Sequence, residues 1–213
     1  LEPTSDKVRL AYLPSYKGVD LRVTAISANE SEAVESADSL AKAITSRIGD
    51  YVFTNTDESL PEIVGKLLRA KGKTVATAES CTGGLIAKML TDLAGSSDYF
   101  RGSVVSYAND VKEKVLKVPR EMLIAKGAVS HEVAEAMASG VLKLADTDYA
   151  ISVTGVAGPG GGTAEKPVGL VFVGYADKSG KVSSEQLKLF GTRERIRERS
   201  AMMALDILRR KLL

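Results

Sequence analysis

The segment TAESCTGG at residues 77–84 combines a glutamate, a serine and a cysteine with two glycines. An apolar stretch around Val75 predicts a strand before it, and a helical pattern begins near Leu85. A serine at such a turn is a candidate nucleophile, because the first N–H groups of a helix lack intrahelical partners and can hold an oxyanion. Ser80 also fits an ordinary helix N-cap, and Cys81 is a rival nucleophile or a small packed residue.

A serine nucleophile needs a proton acceptor, and the chain has one histidine, His131. Its place after Ser130 is typical of an exposed residue at a helix start. Lysine acts as a general base where burial or a neighbouring charge lowers its pKa. Tyr107 and Lys112 follow a second predicted strand and are candidates for this role, although Lys112 also fits a solvated helix face.

Open α/β sheets bind ligands at the carboxyl ends of their strands. A third predicted strand, at 149–156, ends in Thr154 and a glycine-rich loop. This loop matches neither common phosphate-binding glycine pattern, so it either brings bare backbone close to a ligand or is a flexible turn. The last predicted helix, 192–212, begins with Arg193 beside its unpaired N–H groups, a favourable place for an anion.

Composition narrows the class of protein. The 213 residues suit one large or two small domains, and 29 Lys and Arg against 27 Asp and Glu give a net charge of +2. That near balance does not favour a nucleic-acid groove or a membrane surface. With one cysteine and one histidine we expect no disulfide and no zinc site, and a cytoplasmic location. Because the chain begins at Leu1, we expect it to be part of a longer protein.

Residues 1–53 predict a small β-β-α-β unit. Its strands are expected at 8–13, 19–26 and 51–53, with a helix at 29–48. The unit lacks the Gly-x-x-Gly loop of a phosphate-backbone reader, so we interpret it as a structural or interface element and expect no nucleic-acid binding. A polar linker is predicted at 55–60.

From residue 57 to the end, helical and strand patterns mostly alternate, as in an α/β sheet. Strands are predicted at 75–78, 103–107 and 149–156, followed by a hairpin of 169–176 and 184–190. Helices are predicted after Pro61 and at 84–94, 110–117, 130–145 and 192–212, with a short one after Pro119. We therefore predict a three-layer α/β/α domain with a mixed sheet, preceded by a small α+β unit.

The motifs of this second region resemble those of the CinA C-terminal family, whose members are nicotinamide-nucleotide amidohydrolases. They are TAESCTGG (77–84), GSS (95–97) with FRG (100–102), SYAN (106–109) with Lys112, GAVS (127–130), TGVAGP (154–159) and KPVG (166–169). Residues 1–53 resemble the middle, KH-like segment of full-length CinA proteins, in which a larger domain of molybdopterin-binding-like fold comes first.

The resemblance implies hydrolysis of the carboxamide of nicotinamide mononucleotide to nicotinate mononucleotide and ammonia, with no metal and no cofactor. It makes Ser80 the nucleophile and Tyr107 and Lys112 its activating pair. The residues it assigns to substrate binding are Glu79, Thr82, Gly83, Asn109, Thr154, Gly155, Gly158 and Arg193. It also implies a homodimer or higher homo-oligomer. The alternative is a non-catalytic module of a competence- or DNA-damage-linked protein.

Overall fold

The computed structural model describes residues 7–15 and 18–213. The chain divides into two compact units, Leu1–Asp57 and Glu58–Leu213. In the first unit, strands β1 (Val8–Pro14) and β2 (Val19–Ala25) form an antiparallel pair. Helix α1 (Glu30–Ile48) follows, and the side chain of Asn29 caps it by accepting a hydrogen bond from the Ser31 N–H.

The predicted third strand of this unit, 51–53, is wrong. Residues Gly49–Tyr51 continue from α1 as a 3₁₀ turn, and the N–H of Val52 donates to the Gly49 carbonyl at 3.0 Å. That hydrogen bond occupies a backbone group that a strand ladder would need. In the described residues the unit is therefore β-β-α with a closing turn.

The second unit is built on a mixed five-stranded sheet. Its strands are β3 (Val75–Glu79), β4 (Phe100–Val105), β5 (Tyr149–Gly155), β6 (Leu170–Asp177) and β7 (Val182–Lys188). They lie in the order β4-β3-β5-β6-β7, with β3 parallel to both neighbours and the remaining pairs antiparallel. The carboxyl ends of β3, β4 and β5 therefore meet at one edge.

Helices cover both faces of this sheet. They are α2 (Leu60–Ala70), α3 (Leu85–Thr91), α4 (Asn109–Lys114), α5 (Arg120–Lys126), α6 (His131–Ala145) and α7 (Arg193–Leu212). Helix α6 packs along all five strands, whereas α2, α3 and α7 pack together on the other side. Successive side chains of a strand point to opposite faces of the sheet. Because successive residues of β3 and β5 are buried, both faces of these two strands are covered.

The predicted three-layer α/β/α domain with a mixed sheet, preceded by a small α+β unit, is confirmed. The main shift lies in β4, which was predicted at 103–107 and ends at Val105. Ser106 and Tyr107 consequently follow the strand, at the edge where β3 and β5 also end. None of the helices described combines the length and apolarity that crossing a membrane requires.

Candidate active site

Ser80 directly follows β3, and hydrogen bonds on both sides fix its backbone. Its N–H donates to the Val153 carbonyl at 2.9 Å, and the preceding carbonyl of Glu79 accepts from the Ser106 N–H at 2.8 Å. The Oγ of Ser80 accepts a hydrogen bond from Lys112 Nζ at 3.1 Å. The sheet thus holds a serine hydroxyl against a lysine amine, and the serine is 9% exposed.

Lys112 projects from α4 into the protein and is 1% exposed. Its Nζ also donates to the Ser106 carbonyl at 2.7 Å, and no carboxylate of the described residues forms an ion pair with it. Burial without a carboxylate disfavours the ammonium form and lowers the pKa of Lys112 below its ordinary value. This is the environment in which lysine becomes a proton acceptor.

Glu79 satisfies the start of α3. Its carboxylate accepts from the N–H groups of Gly84, Ile86 and Ala87 at 2.8–3.1 Å, and Glu79 is fully buried. Contrary to the prediction that these first N–H groups hold an oxyanion, the glutamate occupies three of them; the N–H of Leu85 has no acceptor among the described residues. The Oε1 of Glu79 also accepts a hydrogen bond from the Ser103 hydroxyl at 3.4 Å, so both oxygens are engaged within the protein and neither is placed for the predicted contact with substrate.

The turn Cys81–Gly84 separates the serine from α3. Gly83, at φ +63°, donates its N–H to the Ser80 carbonyl at 3.1 Å. Among the described residues, the N–H groups of Cys81 and Thr82 have no acceptor on another residue, and the buried Thr82 hydroxyl has no partner. Three N–H groups of the described turn and helix start, those of Cys81, Thr82 and Leu85, therefore have no acceptor on another residue, and the first two lie next to the nucleophile in sequence.

Cys81 is poorly suited to replace Ser80 as nucleophile. Burial raises the pKa of its thiol to about 12, and the neighbouring Glu79 carboxylate acts in the same direction. The thiolate is the reactive form of cysteine, and it is scarce at neutral pH in this environment.

Arg193 and Tyr107 are brought together, although 86 positions separate them. The Arg193 guanidinium donates to the Tyr107 hydroxyl and to the Gly158 carbonyl, both at 2.7 Å. Lys112 contacts Ser80 directly, so the phenol of Tyr107 is not an obligatory relay between them. Tyr107 is 60% exposed, and with Arg193 it forms a polar rim beside the serine turn.

Other predicted site residues lie at the same strand ends. Thr154 is buried near the end of β5 and donates its hydroxyl to the Ala128 carbonyl at 2.7 Å. Gly155 packs so closely on β6 that an added Cβ would lie 2.7 Å from Val171 Cγ2. Asn109 is exposed at the first position of α4.

Arg197 joins this edge and was missed in the sequence. Its Nε donates to the Cys81 carbonyl at 3.2 Å and its NH2 group to the Thr82 carbonyl at 2.8 Å. No local sequence pattern indicates this role, because its partners lie more than a hundred residues away. The one indication in the sequence is that Arg197 lies one helical turn after Arg193, on the same side of the helix.

The described residues form a groove away from this edge, and they form no cluster of metal-ligating side chains. A groove of about 540 Å³ near His131 and Phe190 does not include Ser80 or Lys112 in its lining. Within residues 7–15 and 18–213, no group of three or more His, Cys, Asp or Glu side chains is placed to hold a metal ion.

The second unit is thus a three-layer α/β/α domain with a buried serine–lysine pair at the carboxyl edge of its mixed sheet. The chain belongs to the CinA family: residues 57–212 match its CinA C-terminal domain, and residues 1–54 match its damage-inducible protein CinA KH domain. A CinA-like protein of Desulfotalea psychrophila is 47% identical over 214 residues, covering 100% of this chain and 51% of that protein. A CinA-like protein of Rippkaea orientalis is 50% identical over 198 residues, covering 92% and 47%.

Solved structures of this family share the second unit's fold. The competence/damage inducible protein of Agrobacterium tumefaciens has a TM-score of 0.66 at 40% identity, covering 73% of this chain and 97% of that one. The competence damage-inducible protein A of Klebsiella pneumoniae has a TM-score of 0.70 at 35% identity, covering 72% and 94%. The chain spans about half the length of the curated relatives it matches.

Proposed function

We propose that this chain hydrolyses the carboxamide of nicotinamide mononucleotide to nicotinate mononucleotide and ammonia. The observation that carries the proposal is the 3.1 Å hydrogen bond between Lys112 Nζ and Ser80 Oγ, formed by a buried lysine with no carboxylate partner among the described residues. A neutral amine in this place can take the serine proton as the hydroxyl attacks a carbonyl.

The reaction balances with these two residues and water. Ser80 Oγ bonds to the carboxamide carbon, its proton passes to Lys112 Nζ, and the carbonyl electron pair moves onto oxygen. When the C–N bond breaks, the Lys112 ammonium returns the proton and ammonia leaves. Water then attacks the Ser80 ester while the neutral lysine accepts one of its protons. As the ester bond breaks, the Lys112 ammonium returns that proton to Ser80 Oγ, and the released acid loses its remaining proton to solvent as the carboxylate.

The charge of the substrate suits this site. Its pyridinium withdraws electrons from the carboxamide, and a cation near Lys112 further favours the neutral amine. Arg193 makes two hydrogen bonds within the protein, and a guanidinium carries five N–H donors, so three remain for a phosphate. The exposed rim of Arg193 and Tyr107 is thus a candidate phosphate contact.

The test is release of ammonia from nicotinamide mononucleotide, measured in a coupled assay with the purified chain and with Ser80→Ala. We expect turnover by the parent chain and a loss of several powers of ten in the variant. The Glu121→Gln variant, altered at an exposed position of α5, should match the parent. No ammonia from either protein would contradict the amidohydrolase and favour a non-catalytic role in a damage- or competence-linked protein.

A further inference from the structure

Arg197 holds the turn that carries the nucleophile. From α7 its guanidinium donates to two consecutive carbonyls, those of Cys81 and Thr82, at 3.2 and 2.8 Å. A Cβ added to Gly83 would lie 3.3 Å from the Arg197 NH2 nitrogen, so the guanidinium also fills the space that this glycine leaves. Two bonds from one planar group fix the orientation of two successive peptide planes.

Four N–H groups of this turn and the start of α3 are already bonded within the protein. The Glu79 carboxylate takes those of Gly84, Ile86 and Ala87, and the Ser80 carbonyl takes that of Gly83. The N–H groups of Cys81, Thr82 and Leu85 are left without an acceptor on another residue in the described chain. Of these three donors, those of Cys81 and Thr82 directly follow Ser80 in sequence, next to an oxyanion formed there.

The Arg197 contacts determine where one of these donors points. The Cys81–Thr82 peptide is trans, so its carbonyl and its N–H face opposite ways. Because Arg197 binds the carbonyl, the Thr82 N–H faces away from the guanidinium. We propose that Arg197 is a positioning residue that holds the Cys81–Thr82 peptide so that the Thr82 N–H, with that of Cys81, receives the oxyanion of the Ser80 reaction.

This inference rests on the proposed function for its natural substrate, but the geometry predicts a more general effect on Ser80 chemistry. Donors that meet an oxyanion stabilise the tetrahedral state and not the bound substrate. Loss of Arg197 should therefore slow every reaction that builds negative charge on an oxygen next to Ser80 Oγ. It should leave ground-state binding of nicotinamide mononucleotide unchanged.

The experiment compares the parent chain with Arg197→Gln, Arg197→Lys and the control Arg199→Gln, which alters an exposed arginine of the same helix. Three quantities are measured: kcat for ammonia release, the rate at which a fluorophosphonate labels Ser80, and the melting temperature. A fourth, the Kd for nicotinamide mononucleotide, is measured by calorimetry with and without Arg197→Gln in a Ser80→Ala background. Peptide mapping confirms that the label is on Ser80.

We expect Arg197→Gln to lower kcat and the labelling rate together, each by about 10- to 100-fold, since removing a direct oxyanion donor costs about 10²–10³. Kd should change less than about twofold and Arg199→Gln should match the parent. Arg197→Lys should recover part of the loss, because one ammonium replaces one of two bonds.

Unchanged kcat and labelling in Arg197→Gln would overturn the inference, and so would a loss explained by Kd alone. If Arg197→Gln does not fold, Arg197→Lys at parental melting temperature decides by the same two rates. A parent chain that releases no ammonia but is labelled at Ser80 contradicts the proposed function, and the labelling rate still decides the role of Arg197. A parent chain with neither reaction overturns both.

Discussion

Arg193 and Arg197 lie one turn apart on α7 and bond to different loops at the same sheet edge. Arg193 reaches Tyr107 after β4 and the Gly158 carbonyl after β5. Arg197 reaches the turn after β3. The first two turns of α7 therefore tie together the loops that follow all three parallel strands, and they relate the rim to the nucleophile.

The first prediction separates the two candidate nucleophiles at adjacent positions. Ser80→Ala should lower kcat by several powers of ten without changing the fold, whereas Cys81→Ala should retain most of the activity. The reason is that the Cys81 thiol has its pKa raised to about 12 and is protonated at neutral pH. Ammonia release and circular dichroism of both variants check this. An inactive Cys81→Ala beside an active Ser80→Ala would reverse the assignment.

The second prediction concerns Lys112 as proton acceptor. Activity requires the neutral amine, so kcat/KM should rise with pH through the pKa of Lys112, which burial places below the ordinary value. Lys112→Arg should be inactive, because a guanidinium does not give up its proton. The pH profile of ammonia release from pH 6 to 10 is the measurement. Near-parental activity in Lys112→Ala, with the same profile, would remove lysine from the mechanism.

The third prediction concerns the effect of Lys112 burial on the pH dependence of the stability of the protein. In the unfolded chain Lys112 keeps its proton up to about pH 10.4, whereas its folded pKa is lowered. Between the two pKa values unfolding takes up a proton, so the stability of the parent falls as pH falls through this window and levels off below the folded pKa.

Lys112→Met has no such group. The free energy of unfolding of this variant minus that of the parent should therefore increase as pH falls from about 10.4, and it should become constant below the folded pKa of Lys112. Urea unfolding of both proteins across this range gives the difference, in which other titrating groups largely cancel. A difference independent of pH would show that Lys112 has the same pKa in both states.

The sequence predicted the strands of the sheet and placed Ser80 between a strand and a helix, because strand and helix periodicities are local. It also indicated Lys112, but not its burial, which depends on β4 lying beside β3. The prediction of a third strand in the first unit was wrong. Three residues directly after a helix close a turn at a lower cost in chain entropy than they pair with a distant strand.

Glu79 and Arg197 make contacts that could not be predicted from the sequence. Three N–H groups at the start of α3, where local reasoning placed an oxyanion, are taken by Glu79, five to eight positions earlier. The carbonyls of the turn are taken by Arg197, more than a hundred positions later. Neither assignment follows from periodicity, because each depends on the direction of a side chain in the folded protein.

The fourth prediction tests the role of Glu79. Glu79→Gln places an amide group against three N–H donors where two carboxylate oxygens stood, so one or more donors lose their acceptor. We expect a loss of about 1–3 kcal/mol in the free energy of unfolding, measured with urea, against no change in Glu121→Gln. If Glu79 contacts the substrate, Glu79→Gln should instead raise KM without changing the stability. That result would restore the assignment of Glu79 to substrate binding.

The fifth prediction concerns the phosphate of the substrate and Arg193. A guanidinium–phosphate bond contributes about 1.5–3 kcal/mol, so Arg193→Ala should lose roughly ten- to a hundredfold in kcat/KM for nicotinamide mononucleotide, at tenfold per ~1.4 kcal/mol. The riboside lacks the phosphate and should lose far less. Tyr107→Phe, which removes the hydroxyl bonded to Arg193, controls for disturbance of the rim. Equal losses on both substrates would show that Arg193 only holds Tyr107 and the Gly158 loop in place.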